Sequence, residues 1–220
     1  MKIGIVIAME KEAFPLINLL GEYNKDSVWG NSIYTFSNYP NTVIAICGVG
    51  CIQAAMATTL LIEKYNVNRI INYGFAGYFD EDLKVGDIVN VSAVIDCDMD
   101  LTISGNKPGQ YDDFESEYFN LDTAFFEKIT DITKILSSSD RFLDDGNERN
   151  KLIETFGKNL SDMEGIGIAV VCQKSNIPCS MVKCVSNTLR HNYDEYYSFS
   201  LNGIENCAHQ IFDCITRTLQ

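Results

Sequence analysis

Apolar residues recur along this chain in two rhythms. Lys2–Ala8, Arg69–Ala76, Ile88–Ile95 and Cys179–Val185 are near-continuous runs rich in β-branched residues. Such runs predict strands buried on both faces. Ser32–Ser37 and Thr42–Cys47, joined by the turn 38–41, predict a hairpin, and Lys134–Ser139 a short strand. Other segments carry helical spacing. A helix is expected from Met9-Glu10-Lys11-Glu12 through Leu20, with Pro15 tolerable in its first turns. Another spans Cys51 to Tyr65, with Ile52, Ala55, Met56 and Leu60 among its apolar positions. Tyr118–Thr130 is expected to contain a helix, Asn147–Phe156 to form one, and Asn202–Leu219 to close the chain, with Ile204, Cys207, Ile211, Ile215 and Leu219 on one side. Tyr193–Phe199 is expected as a Tyr-rich loop, and the polar segment Ser104–Asp113 as a lid or subunit contact. The alternation of strands and helices predicts one α/β domain over residues 1–220.

The most informative stretch is Ser161–Asn187. Glu164 stands where a helix begins, Asn176 and Pro178 break that helix, and the strand Cys179–Val185 ends in the polar pair Ser186-Asn187. In open α/β sheets, strand ends and helix starts face the ligand crevice. Glu12 lies just past the first strand. Gly48-Val49-Gly50 and Gly74-Phe75-Ala76-Gly77 also fall at strand ends, where they could let backbone approach a ligand. A dinucleotide fingerprint would need a third glycine and an acid on a following strand, and neither is convincingly present.

The 220 residues carry a formal charge of −13, so no basic stripe exists to neutralise phosphates. A nucleic acid or an anionic membrane is therefore not the expected partner. Eight cysteines without a CxxC pair, and only two histidines, lack zinc spacing. They predict free thiols in a reducing cytosol. The first apolar run is too short for a signal peptide or a membrane span, so a cytoplasmic protein is expected. No metal or cofactor is called for. Two carboxylates, an amide and aromatic walls suit glycosidic-bond chemistry, one carboxylate activating water and the other holding sugar hydroxyls. Phe142, Tyr193, Tyr196 and Tyr197 are the aromatics that could stack on a flat base.

KIGIVIAMEKEA, GVGCIQAAMATTLLIE, IINYGFAGYFDEDLKVGDIV, SDRFL and SDMEGIGIA…NIPCSMVKCVSN resemble, collinearly, the 5′-methylthioadenosine/S-adenosylhomocysteine nucleosidases of the nucleoside phosphorylase superfamily. The resemblance implies a three-layer α/β domain with a central mixed, twisted, partly barrel-like sheet flanked by helices, usually a homodimer. It implies hydrolysis of a purine nucleoside such as 5′-methylthioadenosine or S-adenosylhomocysteine. Glu12 matches the general base for water, and Met163-Glu164 the pair that grips the ribose. Phe142 and Leu143 match the purine pocket, Val49, Ala76 and Gly77 its floor, and Tyr197 a cover over the sugar. Leu101 matches a residue offered to the neighbouring subunit's 5′ pocket. Met9, Phe75, Asp162 and Ser186 complete the implied substrate-binding set.

The departures are specific. Asn187 stands where the family has the aspartate that protonates purine N7, Phe75 where it usually has serine, and Asp162 where it has glutamate. An amide is no acid at neutral pH, although its NH2 can donate to N7. Three readings follow: a preference for 6-oxopurines, a substitution made to trap substrate, or a binder with little turnover. Phosphorolysis would need a dianion site, normally arginines with backbone amides. The arginine-bearing segment of the phosphorylases is Ala8–Glu12 here, and a second family arginine is Asn72. Water is therefore the expected nucleophile, with a purine nucleoside phosphorylase or a catalytically impaired homologue as alternatives.

Overall fold

A computed structural model describes residues 1–143, 146–188 and 193–219, the side chains of 193–201 excepted. Among these described residues, ten strands form one mixed sheet. β1 (Ile3–Ile7), β4 (Thr42–Ile46), β5 (Arg69–Tyr78) and β10 (Cys179–Asn187) are its parallel centre, β1 pairing with β4 and β5, and β5 with β10. β1 and β4 are buried at every position, as their unbroken apolar runs require. The hairpin partner β3 (Asn31–Phe36) joins antiparallel to β4, and β2 (Tyr23–Val28) forms the outer edge.

β5 is the longest strand and changes partners along its length. Arg69–Asn72 pair with β1, whereas Gly77 and Tyr78 pair with β9 (Leu160–Asp162). β9 pairs with β8 (Thr133–Ser138), β8 with β6 (Ile88–Asp96), and β6 with β10, which returns to β5. Five strands thus close a ring, the barrel-like part of the sheet. β7 (Phe119–Asn120) adds to β6.

Helices cover both faces. α1 (Glu10–Leu20) and α5 (Tyr193–Leu219) bury Ala13, Leu16, Ile17, Ile204, Ala208 and Ile211 in one core. α2 (Cys51–Tyr65) and α4 (Gly165–Ser175) bury Ala54, Ala57, Leu61, Ile166 and Ala169 in the other. α2 and α4 lie close because Gly167 has no side chain: a Cβ there would sit 2.1 Å from the Cys51 carbonyl oxygen. α3 (Gly146–Phe156) packs outside, with Leu152 against Phe79 and Leu143.

Three expectations change. Tyr118–Thr130 holds β7 and a short 3₁₀ turn at Ala124–Phe126, with no α-helix. The segment 193–199 is the start of α5. On α2 the buried residues are Ala54, Ala57, Thr58, Leu60 and Leu61, so of the expected apolar positions Leu60 is buried while Ile52 is 80% and Met56 36% exposed. No helix among the described residues is long and apolar enough to cross a membrane.

Candidate active site

The parallel strands β1, β4, β5 and β10 end on one side of the sheet, and each end delivers part of a single cavity of about 260 Å³. That size is just below the usual range of about 300–1,000 Å³ for small-ligand pockets.

After β1 the chain turns directly into α1, so Glu12 falls in the first helical turn and folds back over β5. Its Oε2 accepts from the Met9 N–H at 2.9 Å and its Oε1 from the Phe75 N–H at 2.9 Å. The space exists because residue 74 is glycine: a Cβ there would lie 2.7 Å from Oε1. The Tyr73 hydroxyl donates to the Glu12 carbonyl at 2.6 Å, fixing the turn itself. Glu12 is only 2% exposed, and burial pushes its pKa up, against the two N–H donors and the Lys183 ammonium. A buried carboxylate of raised pKa, held at both oxygens, is a stronger proton acceptor than a free one.

Glu164 ends the segment after β9 and is the N-cap residue of α4. Its Oε1 accepts from the Gly50 N–H at 3.0 Å. Gly50 has φ +118°, a conformation open to glycine, and this aims its N–H across the cavity. The next N–H of α2, on Cys51, donates to Asp140 Oδ1 at 2.7 Å. The Gly-x-Gly segment thus holds protein carboxylates at the helix N-terminus, where an anionic ligand could otherwise bind. Burial and then the charge of Asp162 push Glu164 up to about 7, against the pull of Lys183 and the Gly50 N–H.

Asp162 lines the cavity, but its oxygens serve the fold. Both accept from the Gly165 N–H, at 3.1 and 3.0 Å, and Oδ2 lies 2.8 Å from Lys183 Nζ.

Asn187 is the last residue of β10 and pairs with Gly77 of β5. Its amide lies over that glycine, whose missing Cβ would be 3.3 Å from Nδ2. Ser186 Oγ donates to Asn187 Oδ1 at 2.7 Å and sits 3.1 Å from the Ala76 carbonyl oxygen. With Oδ1 engaged, the NH2 is the part of the amide that can donate to a ligand.

Met9, Val49, Phe75, Ala76, Gly77, Phe142, Leu143 and Met163 line the same cavity as Glu12, Asp162, Glu164, Ser186 and Asn187. Phe142 is 55% exposed at the mouth. Leu101 lies elsewhere, half-buried before a 3₁₀ turn at Thr102–Ser104, and the Tyr193, Tyr196 and Tyr197 side chains fall outside the described residues. Phe79, Arg141 and Ser161 also line the cavity and are not among the expected site residues; Lys11, the local cation that argues against water as the nucleophile, lines it too, its Nζ 5.3 Å from the Phe75 ring centroid. Lys183, under the acids, was also missed. Its signal was a lone lysine in an otherwise apolar strand, which needs a buried counter-charge.

The family model described as the phosphorylase superfamily matches residues 2–219. The 5′-methylthioadenosine/S-adenosylhomocysteine nucleosidase of Desulfotalea psychrophila is 30% identical over 228 aligned positions, covering 98% of this chain and 97% of that protein. The aminodeoxyfutalosine nucleosidase of Campylobacter jejuni is 27% identical, covering 85% and 86%. The solved 5′-methylthioadenosine/S-adenosylhomocysteine nucleosidase of Helicobacter pylori superposes with a TM-score of 0.90 at 22% identity, over 99% of this chain and 98% of that one. The chain belongs to the phosphorylase superfamily and, within it, to the 5′-methylthioadenosine/S-adenosylhomocysteine nucleosidase family.

Proposed function

We propose that this protein hydrolyses the N-glycosidic bond of a purine nucleoside, with 5′-methylthioadenosine or S-adenosylhomocysteine as the first substrates to test. The observation that carries the reading is Glu12: a buried carboxylate, fixed at both oxygens, in one cavity with Glu164 and Asn187. Glu12 takes a proton from water as the water oxygen bonds to C1′. The C1′–N9 bond breaks and its electron pair leaves with the purine. Glu164 accepts from the ribose hydroxyls and stabilises the oxocarbenium-like transition state. The Asn187 NH2 donates to N7, and the proton the leaving base finally gains comes from solvent. Phe142 and Leu143 hold the base, Val49, Ala76 and Gly77 form the floor, and Met9 and Met163 pack on the sugar.

Three features favour water over phosphate. The α2 N-terminus is filled by Glu164 and Asp140. Asn72, where the resembling phosphorylases have arginine, is buried and donates to the Val6 carbonyl at 2.9 Å. Glu12 would repel a dianion. The same reading makes the active form a cytoplasmic homodimer, in which Leu101 serves the neighbouring copy. In support, Leu101 stays out of its own cavity, and Ile103 and Ile52 are 98% and 80% exposed.

The test is base release from methylthioadenosine, S-adenosylhomocysteine, adenosine and inosine, with and without phosphate. Adenine release without phosphate is expected. Glu12→Gln should lower the rate about 10²–10⁴-fold while retaining substrate binding. Full activity of that variant, or release of hypoxanthine only with phosphate, overturns the reading.

A further inference from the structure

Lys183 is 1% exposed, and its Nζ lies 2.8 Å from Asp162 Oδ2. It projects from β10 four residues before Asn187, beneath the cavity. In the sheet it pairs with Gly74, the residue whose missing side chain leaves room for Glu12 Oε1. Asp162 from β9 forms an ion pair with this ammonium, and the charges of Glu164, at the cap of α4, and Glu12, from α1, act on it as well. A lone buried ammonium, or three buried carboxylates without one, would be untenable. Burial works against the charged lysine, but Asp162, Glu164 and Glu12 outweigh it and hold its pKa above the usual value.

We propose that Lys183 is a positioning residue: anchored by Asp162, its ammonium is the fixed charge that holds Glu12 and Glu164 in the ionisation states the reaction uses. Asp162 then belongs to the control of the site and not to substrate contact. The inference rests on the nucleosidase reading for its meaning in catalysis. The ionisation it describes can be measured without turnover.

The thiols and the phenol packed around this cluster stay neutral in the relevant range. Cys47, beyond β4, is pushed by burial up to about 12, and Cys207 on α5 and Tyr73 on β5 are also raised by burial. Cys184, beside Lys183 on β10, is likewise pushed by burial up to about 12. Lys11 adds a positive charge from the cavity side of α1.

The experiment compares Lys183→Met, Lys183→Arg and Asp162→Asn in two readouts: the pH profile of kcat/KM for base release, and carboxyl-carbon NMR titration of the labelled glutamates. Removing the ammonium should move the acid limb and the Glu12 and Glu164 titrations up by about one pH unit or more. Arginine should hold them near their original position. Asp162→Asn removes a negative charge with little change of shape and should move them down, which keeps the idea testable if Lys183→Met does not fold. A uniform fall in kcat with unmoved limbs and titrations would make Lys183 merely structural and overturn the proposal. Moved titrations in a protein that releases no base would uphold the role of Lys183 and defeat the nucleosidase reading instead.

Discussion

Asn187→Asp changes one atom of the side chain, and its consequence can be worked through from the structure. Oδ1 keeps its partner, the Ser186 hydroxyl at 2.7 Å, and the new oxygen takes the place of Nδ2 over Gly77. The added carboxyl enters a site that already holds Glu12, Asp162 and Glu164 against the Lys183 ammonium. Unit charges on the order of 8 Å apart still interact by about 2 kcal/mol at an effective dielectric of about 20. The surplus negative charge therefore favours the protonated form of the new acid. A protonated acid beside N7 supplies what an amide cannot, a proton for the departing purine. General acid catalysis of this kind contributes about 10²–10⁴-fold, or roughly 3–5 kcal/mol of barrier. The assay is single-turnover adenine release from methylthioadenosine at neutral pH without phosphate, with substrate affinity measured in parallel. Release should accelerate by at least about 100-fold while affinity changes far less. A rate within a few-fold of the parent, in a variant of unchanged circular dichroism and melting temperature, would show that position 187 does not face the leaving base.

Gly74→Ala should separate activity from stability. The new methyl would press on Glu12 Oε1 at 2.7 Å, and that carboxylate is the far end of a flexible side chain, so it gives way before the backbone does. A loss of about 100-fold in kcat with a small change in melting temperature is expected, since displacement of a general base by an ångström is costly; parental kcat would refute the placement of Glu12. Stability should also fall as pH rises. Glu164 is pushed up to about 7 from 4.5, so between these values the native state keeps a proton that the unfolded chain has lost. The contribution is largest at acid pH and disappears through that window, by on the order of 3 kcal/mol for this group. Urea unfolding at pH 5 and pH 8 checks the sign, and Glu164→Gln should flatten the difference; a profile that rises with pH would refute it.

What could be read from the sequence, and what could not, follows from where information is local. Glu12, Glu164 and Asn187 were legible because each sits at a strand end or helix start, and in a sheet with parallel β1, β4, β5 and β10 those places share one crevice. β2 was illegible because YNKDSV is an almost wholly exposed edge with no apolar face to announce it. β9 has only three residues and owes its existence to β5 and β8 on either side. The Gly-x-Gly segment was legible as a special backbone site, but its expected use, close approach to a ligand, is only part of what it does: the Gly50 N–H goes to a carboxylate 114 residues away. Gly74 and Gly77 carry the same lesson. A glycine inside a buried strand weakens the strand unless another group needs the space, and here Glu12 stands over one and Asn187 over the other. The sequence marks such vacancies, but a vacancy does not name its occupant, because the occupant is chosen by strand order. Lys183 is the converse case. The chain shows an ammonium buried in an apolar strand and so demands an acid, yet only the pairing of β9 into the barrel-like ring puts Asp162 within 2.8 Å.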